Sequence, residues 1–139
     1  YVFGINKENT ELVILEGGLG GRLWVEVLIL PLDNRVAQNP QYVDMVKALK
    51  GDLTRRSLAS TVDDSRASVG KRYSRNDEIG VPFGVTIDFD SFEDQQATVR
   101  DRDTCSQIRV PLPEIPALIE QLTLATMSWQ EAQTLHPSP

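Results

Sequence analysis

The sequence predicts an α/β domain with a mixed five-stranded sheet and about three helices. The 139 residues and their 40% hydrophobic content suit a single domain with one core. Strand-like and helix-like apolar segments alternate in the first half of the chain, which is typical of parallel strands joined by a helix. Strand-like segments with short links follow in the second half, which favours antiparallel neighbours.

The first half of the chain contains a strand, a helix and a second strand. Residues 24–30, "WVEVLIL", are β-branched and apolar, and "PLDN" ends them, so they predict a buried strand. Residues 40–56 predict a helix, since apolar side chains recur at helical spacing and two arginines lie near the end, as the helix dipole favours. Residues 58–62, "LASTV", predict a second short strand, parallel to the first.

The second half begins with a polar segment, residues 68–79, that is predicted to be helical. "VPFGVTIDFD" then alternates, with Val85, Ile87 and Phe89 pointing to one face of a strand. "QATVRDR" and "SQIRV" follow after short turns and complete an antiparallel set.

Two further helices are predicted at the end of the chain. An apolar stripe at i, i+3, i+4 and i+7 predicts a helix that packs on the sheet; its members are Ile115, Leu118, Ile119 and Leu122. Ser128 and Glu131 have capping-box spacing, which predicts the start of a last short helix.

Residues 1–22 fit this pattern less well, and we expect them to be a lead-in or linker before a domain that spans residues 23–139. Their glycine-rich stretch, "EGGLGG", lacks the GxGxxG fingerprint and the lysine of a Walker A loop. A flexible connector is therefore favoured over a nucleotide-binding loop. Because the first residue is Tyr1, we interpret the chain as a fragment of a longer protein.

Composition argues against several classes of function. The net charge of −6 disfavours a general nucleic-acid coat, because phosphate affinity needs basic residues. With one cysteine, Cys105, and one histidine, His136, neither an internal disulfide nor a Cys/His zinc site is expected. The acidic run of Asp88, Asp90, Glu93 and Asp94 lacks the spacing of a calcium loop, so a solvated strand end is favoured over a cation site.

Two basic segments stand out against this acidic background. "RASVGKRYSR", residues 66–75, holds four bases and no acid, and is either a solvated helix face or a binding patch for a polyanion. In "VRDRD", Arg100 and Arg102 share one strand face, where they form either a surface salt-bridge array or a set of planar donors for RNA.

Tyr73 and Phe89 provide aromatic surface beside these bases, and stacked aromatics between arginines bind unpaired bases. Phe89 alternates with Val85 and Ile87, however, so a core position is an equal alternative for it. We expect the edge to bind an RNA loop, with Tyr73 and Arg102 facing solvent and acting together.

Two longer strings identify a family. "VDDSRASVGKRYSRNDEIGVPFGVTIDFDS" (62–91) and "ATVRDRDTCSQIRV" (97–110) resemble the C-terminal anticodon-binding domain of glycyl-tRNA synthetase of the eukaryotic and archaeal type, a class II enzyme. "VLILPL" and "IPALIEQL" with "SWQEA" extend the resemblance over residues 26–135. The strings separate this family from the histidyl, prolyl and threonyl enzymes, which share its fold.

The resemblance implies a class II synthetase anticodon-binding fold and a function in tRNA anticodon recognition. It implies that a catalytic domain precedes this segment in an ATP-dependent glycine–tRNA ligase, so the chain alone is expected to be non-catalytic. ATP and Mg²⁺ would serve the parent enzyme, and no cofactor is expected in this domain. The expected partner is glycine-specific tRNA and not a membrane. The parent is expected to dimerise through its catalytic domain and to be cytoplasmic, with a mitochondrial form as an alternative, whereas the isolated domain would be monomeric.

The resemblance also implies which residues contact the anticodon. The matching positions, with Arg100 as a further candidate, are Lys71, Arg72, Tyr73, Phe89 and Arg102. Lys71 stands where relatives often have arginine, so it keeps the charge and lacks the bidentate fork.

The alternative is a nucleic-acid or protein-binding module of the same fold outside the synthetases, such as the accessory subunit of a mitochondrial DNA polymerase. A duplex binder should spread basic residues over a broad face, and one basic patch on an acidic chain argues against it.

Overall fold

The computed structural model describes residues 25–63, 65 and 67–139. The predicted lead-in of residues 1–22 lies outside these residues, as do Trp24, Asp64 and Arg66.

The fold is built on a mixed five-stranded sheet in the order β2-β1-β3-β4-β5. β1 is parallel to both β2 and β3, while β3, β4 and β5 are antiparallel neighbours. The parallel first pair and the antiparallel set are therefore confirmed, and the β1–β3 pairing adds the link between them. The strands are β1 (Val27–Pro31), β2 (Ser60–Val62), β3 (Phe83–Ile87), β4 (Gln96–Asp101) and β5 (Gln107–Pro111).

The described residues form six α-helical segments and one 3₁₀ turn, more than the sequence predicted, because two segments are single turns. None of these helices combines the length and the hydrophobicity needed to span a membrane. The capping box is confirmed, since Ser128 and Glu131 each bond the other's backbone. The segments are α1 (Asn34–Ala37), α2 (Pro40–Arg55), α3 (Val69–Glu78), α4 (Ser91–Asp94), the 3₁₀ turn Leu112–Glu114, α5 (Ile115–Thr123) and α6 (Trp129–Leu135).

The main core lies between one face of the sheet and α2, α5 and α6. Val27, Val85 and Val99 of the three central strands are fully buried there. Leu118 and Ile119 of α5 are buried against them and Leu122 is half-buried, as the apolar stripe predicted.

α3 covers part of the opposite face, where Leu28 and Leu30 of β1 pack against Val69 and Tyr73. Beyond α3 the same face becomes polar, because the register places Gly84 beside Arg100 and Thr86 beside Thr98. The β4–β5 half of this face carries Thr98, Arg100, Gln107 and Arg109.

The parallel strands end together at one edge of the sheet, which we call the carboxyl edge. It is formed by Leu32 and Asp33 after β1, Asp63 after β2, and residues 88–90 after β3. The turn between β4 and β5, residues 102–106, lies at the opposite edge, since Phe83 at the start of β3 pairs with Asp101. We call this the hairpin edge.

Candidate nucleic-acid interface

Arg72 does not lie on the exposed side of α3. Its side chain is buried, with 1% of the residue exposed, and the guanidinium donates to two strand-end carbonyls of the carboxyl edge. Nη1 lies 3.0 Å from the Asp63 carbonyl oxygen, and Nη2 lies 3.4 Å from that of Leu32. Arg72 therefore ties together the loops that follow β1 and β2. The sequence analysis placed Arg72 in an exposed basic segment, and its burial corrects that prediction.

Tyr73 is also held inside the fold rather than presented to solvent. Its ring lies over Gly84, and its hydroxyl is hydrogen-bonded with Oγ1 of Thr86 on β3. Burial raises the pKa of the Tyr73 hydroxyl, because the charged phenolate would be poorly solvated there. The expectation of a solvent-facing Tyr73 is therefore wrong; its ring helps to seat α3 on the sheet.

Arg100 completes this arrangement. Its guanidinium carbon lies 4.4 Å from the centroid of the Tyr73 ring. Nη1 and Nη2 each lie 3.0 Å from a carboxylate oxygen of Asp77, which follows Tyr73 by four residues on α3. The hydrogen bonds that Arg100 donates to the Asp77 carboxylate raise the pKa of Arg100. Both ends of the fork are thus occupied in the free domain, so Arg100 positions the tyrosine ring more than it offers donors.

Lys71 differs from its neighbours because its side chain is exposed, on the side of α3 away from the sheet. Its backbone N–H donates to Oγ of the N-cap residue Ser68, which fixes the first turn of the helix. Arg75, one turn further along, is exposed and pairs with Asp63 at 2.8 Å. Among the bases of this segment that the structure describes, Lys71 is therefore the one most open to a phosphate.

Phe89 follows the end of β3 and does not continue the core face of Val85 and Ile87. It is 44% exposed. Phe92 contacts it edge to face at 6.5 Å, and the guanidinium carbon of Arg35 lies 5.2 Å from its ring centroid. The structure thus favours the exposed alternative for Phe89, and it adds Arg35, which the sequence analysis did not single out.

Arg102 lies one residue past β4, in the hairpin turn, so it does not share a strand face with Arg100 as predicted. Its backbone N–H donates to the Pro82 carbonyl at 2.9 Å, which anchors the turn beside the start of β3. Its side chain is 24% exposed and pairs with Asp103 at 3.0 Å. The guanidinium can exchange this exposed carboxylate for an anionic partner, because surface ion pairs are weak.

The residues predicted to contact RNA therefore lie at two places on the domain and do not form a single binding edge. Lys71 and Phe89 belong to elements that meet the carboxyl edge, whereas Arg102 lies at the hairpin edge. About seven residues at roughly 3.3 Å each separate Pro82 from Phe89, so the two edges are about 20 Å apart. Tyr73 and Arg100 lie in contact between the two edges, where both are partly buried.

Two of the acidic residues after β3, Asp88 and Asp94, form ion pairs with an arginine of β5. Arg109 donates to Asp88 at 2.8 Å and to Asp94 at 3.3 Å. Burial opposes ionisation of Asp88, but the hydrogen bonds and charge of Arg109 outweigh it and lower the pKa of Asp88. Within the part of the chain that the structure describes, no group of three histidine, cysteine or acidic side chains is arranged to hold a metal ion.

Comparison with known proteins agrees with this architecture. The family model described as "Anticodon binding domain" matches residues 26–122, which include the whole sheet and α3. A prolyl-tRNA synthetase structure from Cryptosporidium parvum superposes with a TM-score of 0.62 at 20% identity, covering 70% of this chain and 21% of that one. That likeness shows the fold.

The sequence also matches a narrower group of proteins at higher identity. The chain is 38% identical over 114 residues to the Drosophila melanogaster glycine–tRNA ligase, 46% over 93 residues to that of Macrococcus caseolyticus, and 40% over 106 residues to the mitochondrial glycine–tRNA ligase 1 of Saccharomyces cerevisiae. These matches cover 81%, 67% and 76% of this chain. The chain spans only 14%, 18% and 15% of those relatives.

The match to the family model extends over most of the chain, and the fold agrees with that of the superposed synthetase. The chain therefore belongs to the anticodon-binding domain family of the class II tRNA synthetases, with glycine–tRNA ligases among its relatives.

Proposed function

We propose that this chain is the tRNA anticodon-recognition module of a glycine–tRNA ligase. The observation that supports it most is where the similarity to glycine–tRNA ligases falls. It extends over the residues that build the sheet and α3, whereas the prolyl enzyme has the same fold at much lower identity. Shared sequence beyond the shared fold points to a shared RNA partner.

The role of the domain in this proposal is binding and not chemistry. Phe89 offers a stacking face for an unpaired base, and Lys71 offers a charge to phosphate. Arg102 offers a planar fork at the hairpin edge. Arg72 and Arg100 act as positioning residues, because their guanidinium groups are already bonded to Leu32, Asp63 and Asp77.

The parent protein in this proposal is longer than the chain, which spans less than a fifth of its relatives. Its remaining part would carry the ATP- and Mg²⁺-dependent aminoacylation and the contacts of a homodimer. The isolated domain would be a monomer. One relative is named as mitochondrial, which supports a mitochondrial form beside a cytoplasmic one.

Fluorescence anisotropy with labelled RNA stem-loops tests this proposal. The domain should bind a stem-loop with a glycine anticodon weakly but measurably, and each changed anticodon base should lower affinity by about 1–3 kcal/mol. A DNA hairpin of the same sequence provides the comparison for the alternative function. Equal binding to every anticodon, or tighter binding to the DNA, would contradict the proposal.

A further inference from the structure

We infer that Arg35 forms, together with Phe89, a subsite for one unpaired nucleobase at the carboxyl edge. The inference rests on the proposed function, and it adds a contact residue that lies outside the basic segments of the sequence. It also assigns this contact to a place separate from the hairpin edge.

Topology brings the two side chains together. β1 and β3 are parallel neighbours whose last residues, Pro31 and Ile87, are paired, and the Leu32 N–H donates to the Ile87 carbonyl at 2.9 Å. The chain leaves β1 into α1, which contains Arg35, and leaves β3 into the loop that contains Phe89. In open α/β sheets, ligands bind outside the carboxyl ends of the strands.

The two side chains are differently constrained, as a stacking subsite requires. Phe89 is braced on one edge by Phe92, so its ring has a fixed position, and it is still partly open to solvent. The Arg35 side chain is 76% exposed and pairs with Asp33 at 2.9 Å. Because such exposed pairs contribute little, the guanidinium can move to cover or bond a base that stacks on the ring.

The surrounding charges favour a base over a phosphate at this place. Asp88 and Asp90 flank Phe89 along the chain, and Asp33 pairs with Arg35. Asp90 is exposed and makes no side-chain hydrogen bond to its own helix. Carboxylates repel phosphate oxygens, but they accept hydrogen bonds from the exocyclic amino group of a base such as cytosine. The subsite therefore suits an unpaired base that carries an amino group.

Removal of the guanidinium, with a matched control, provides the test. Arg35→Ala should lower the affinity for the glycine-anticodon stem-loop about fivefold, since a cation–π contact contributes about 1 kcal/mol. Arg55→Ala removes the same charge from a side chain that is 72% exposed and likewise paired with a nearby aspartate on its own segment. That control should change affinity less than twofold. Arg35→Lys should lower the affinity less than Arg35→Ala does, but it should not restore the full affinity, because lysine lacks the planar group.

Coupling between positions locates the effect. The double variant of Arg35 and Phe89 should lose little more than Phe89→Ala alone, because both side chains hold the same base. The double variant of Phe89 and Arg102 should show the product of its single losses, because the two edges are about 20 Å apart. Stem-loops with a 2-aminopurine in the loop should lose their stacking-dependent quenching in Phe89→Ala and Arg35→Ala.

The outcomes separate this inference from the proposed function. The inference would be overturned, and the proposed function left standing, if the unmutated chain binds in an anticodon-dependent way and Arg35→Ala binds as tightly as Arg55→Ala. If the unmutated chain does not bind the stem-loop, both are overturned. Additive losses of Arg35 and Phe89 would also overturn the subsite. Urea titration of each variant checks that folding is unchanged, as expected for exposed side chains.

Discussion

Single residues show most clearly how the basic segment differs from its pattern in the sequence. Four bases in ten residues suggest an exposed patch, but positions 69, 72, 73 and 76 of a helix lie on one face. That face is turned to the sheet, so Arg72 is directed to the carboxyl edge, where strand-end carbonyls need donors. Helical spacing could have indicated this burial, but the polar character of Arg72 concealed it.

Arg72→Met should destabilise the fold without removing a surface contact. It leaves the Asp63 and Leu32 carbonyls without their donor, and an unsatisfied buried polar group costs about 1–3 kcal/mol. Arg75→Met is the matched control on the next turn of α3, where the loss of a surface ion pair should cost at most about 1 kcal/mol. Urea titration compares the two. An unchanged or higher stability in Arg72→Met would mean that the desolvation of the guanidinium outweighs its hydrogen bonds.

A second prediction at the residue scale concerns acid stability. Burial opposes ionisation of Asp88, but Arg109 outweighs it, and the pKa of Asp88 in the folded state is below its ordinary value of 3.8. The ion pair therefore contributes stability above the unfolded-state pKa, and the contribution is lost as the pH falls through the lower folded pKa. Asp88→Asn should be less stable at neutral pH, and its stability should fall less steeply in the acid range.

Urea midpoints measured from neutral pH down to about pH 2.5 test this prediction. Asp63 also has a lowered pKa, so some acid sensitivity should remain in the variant. A variant whose stability curve runs parallel to that of the parent through the acid range would show that Asp88 does not titrate with folding.

At the scale of elements, α3 depends on one close approach to the sheet. A Cβ built on Gly84 would lie 2.5 Å from Cε1 of Tyr73, which is closer than two such atoms can approach. The ring cannot move away easily, since Arg100 stacks on it and Thr86 bonds its hydroxyl. A side chain on Gly84 would therefore displace the helix from β3.

Gly84→Ala should consequently destabilise the domain by about 1–3 kcal/mol, as overpacking does. Gly70→Ala is the control on α3 itself, because nothing lies within 4 Å of an added Cβ there. That change should be neutral or stabilise the helix by up to about 1 kcal/mol. Thermal unfolding by circular dichroism measures both. Equal behaviour of the two variants would contradict the packing of Tyr73 on Gly84.

The order of the elements was predictable from the sequence, while their seating was not. Every strand and each helix longer than one turn among the described residues was predicted. Apolar spacing predicted the strands, α2 and α5, because it reflects burial directly, while α3 was predicted as a polar segment and α6 from its capping-box spacing. The single-turn helices α1 and α4 are too short to show a period. The β1–β3 pairing follows from where α3 crosses the sheet, which depends on contacts between residues distant in the sequence.

The same distinction holds for the candidate site. Lys71, Phe89 and Arg102 are at least partly exposed and stay predicted contacts, whereas the side chains of Arg72, Tyr73 and Arg100 are held by contacts within the fold. Helical spacing separates Arg72 and Tyr73 from Lys71, but the sequence does not show the partners that fix these side chains, such as Asp77 and the Leu32 carbonyl. Arg35 was missed because it belongs to a one-turn helix far in sequence from its aromatic partner.

At the scale of the whole molecule, charge limits how the domain can bind RNA. The net charge is −6, and most of the basic side chains in the described part of the chain are neutralised by a carboxylate. The paired arginines are Arg35, Arg55, Arg56, Arg75, Arg100, Arg102 and Arg109. An acidic surface repels RNA that approaches elsewhere, so binding is confined to a few contacts.

Binding of the glycine-anticodon stem-loop should therefore depend on salt with a shallow slope. Two or three phosphate contacts to single-stranded RNA give a slope of log affinity against log salt between about −1.4 and −2.1. Arg102→Ala and Lys71→Ala should each make the slope shallower by about 0.7 if the side chain neutralises one phosphate. Arg55→Ala, which changes an exposed arginine of α2 on the opposite face of the sheet from α3, should leave it unchanged. Anisotropy titrations at several salt concentrations measure the slope.

Because a base-stacking contact releases no counterion, Phe89→Ala should lower affinity equally at every salt concentration. A slope that is unchanged in Arg102→Ala and Lys71→Ala would mean that the phosphate contacts lie elsewhere on the domain.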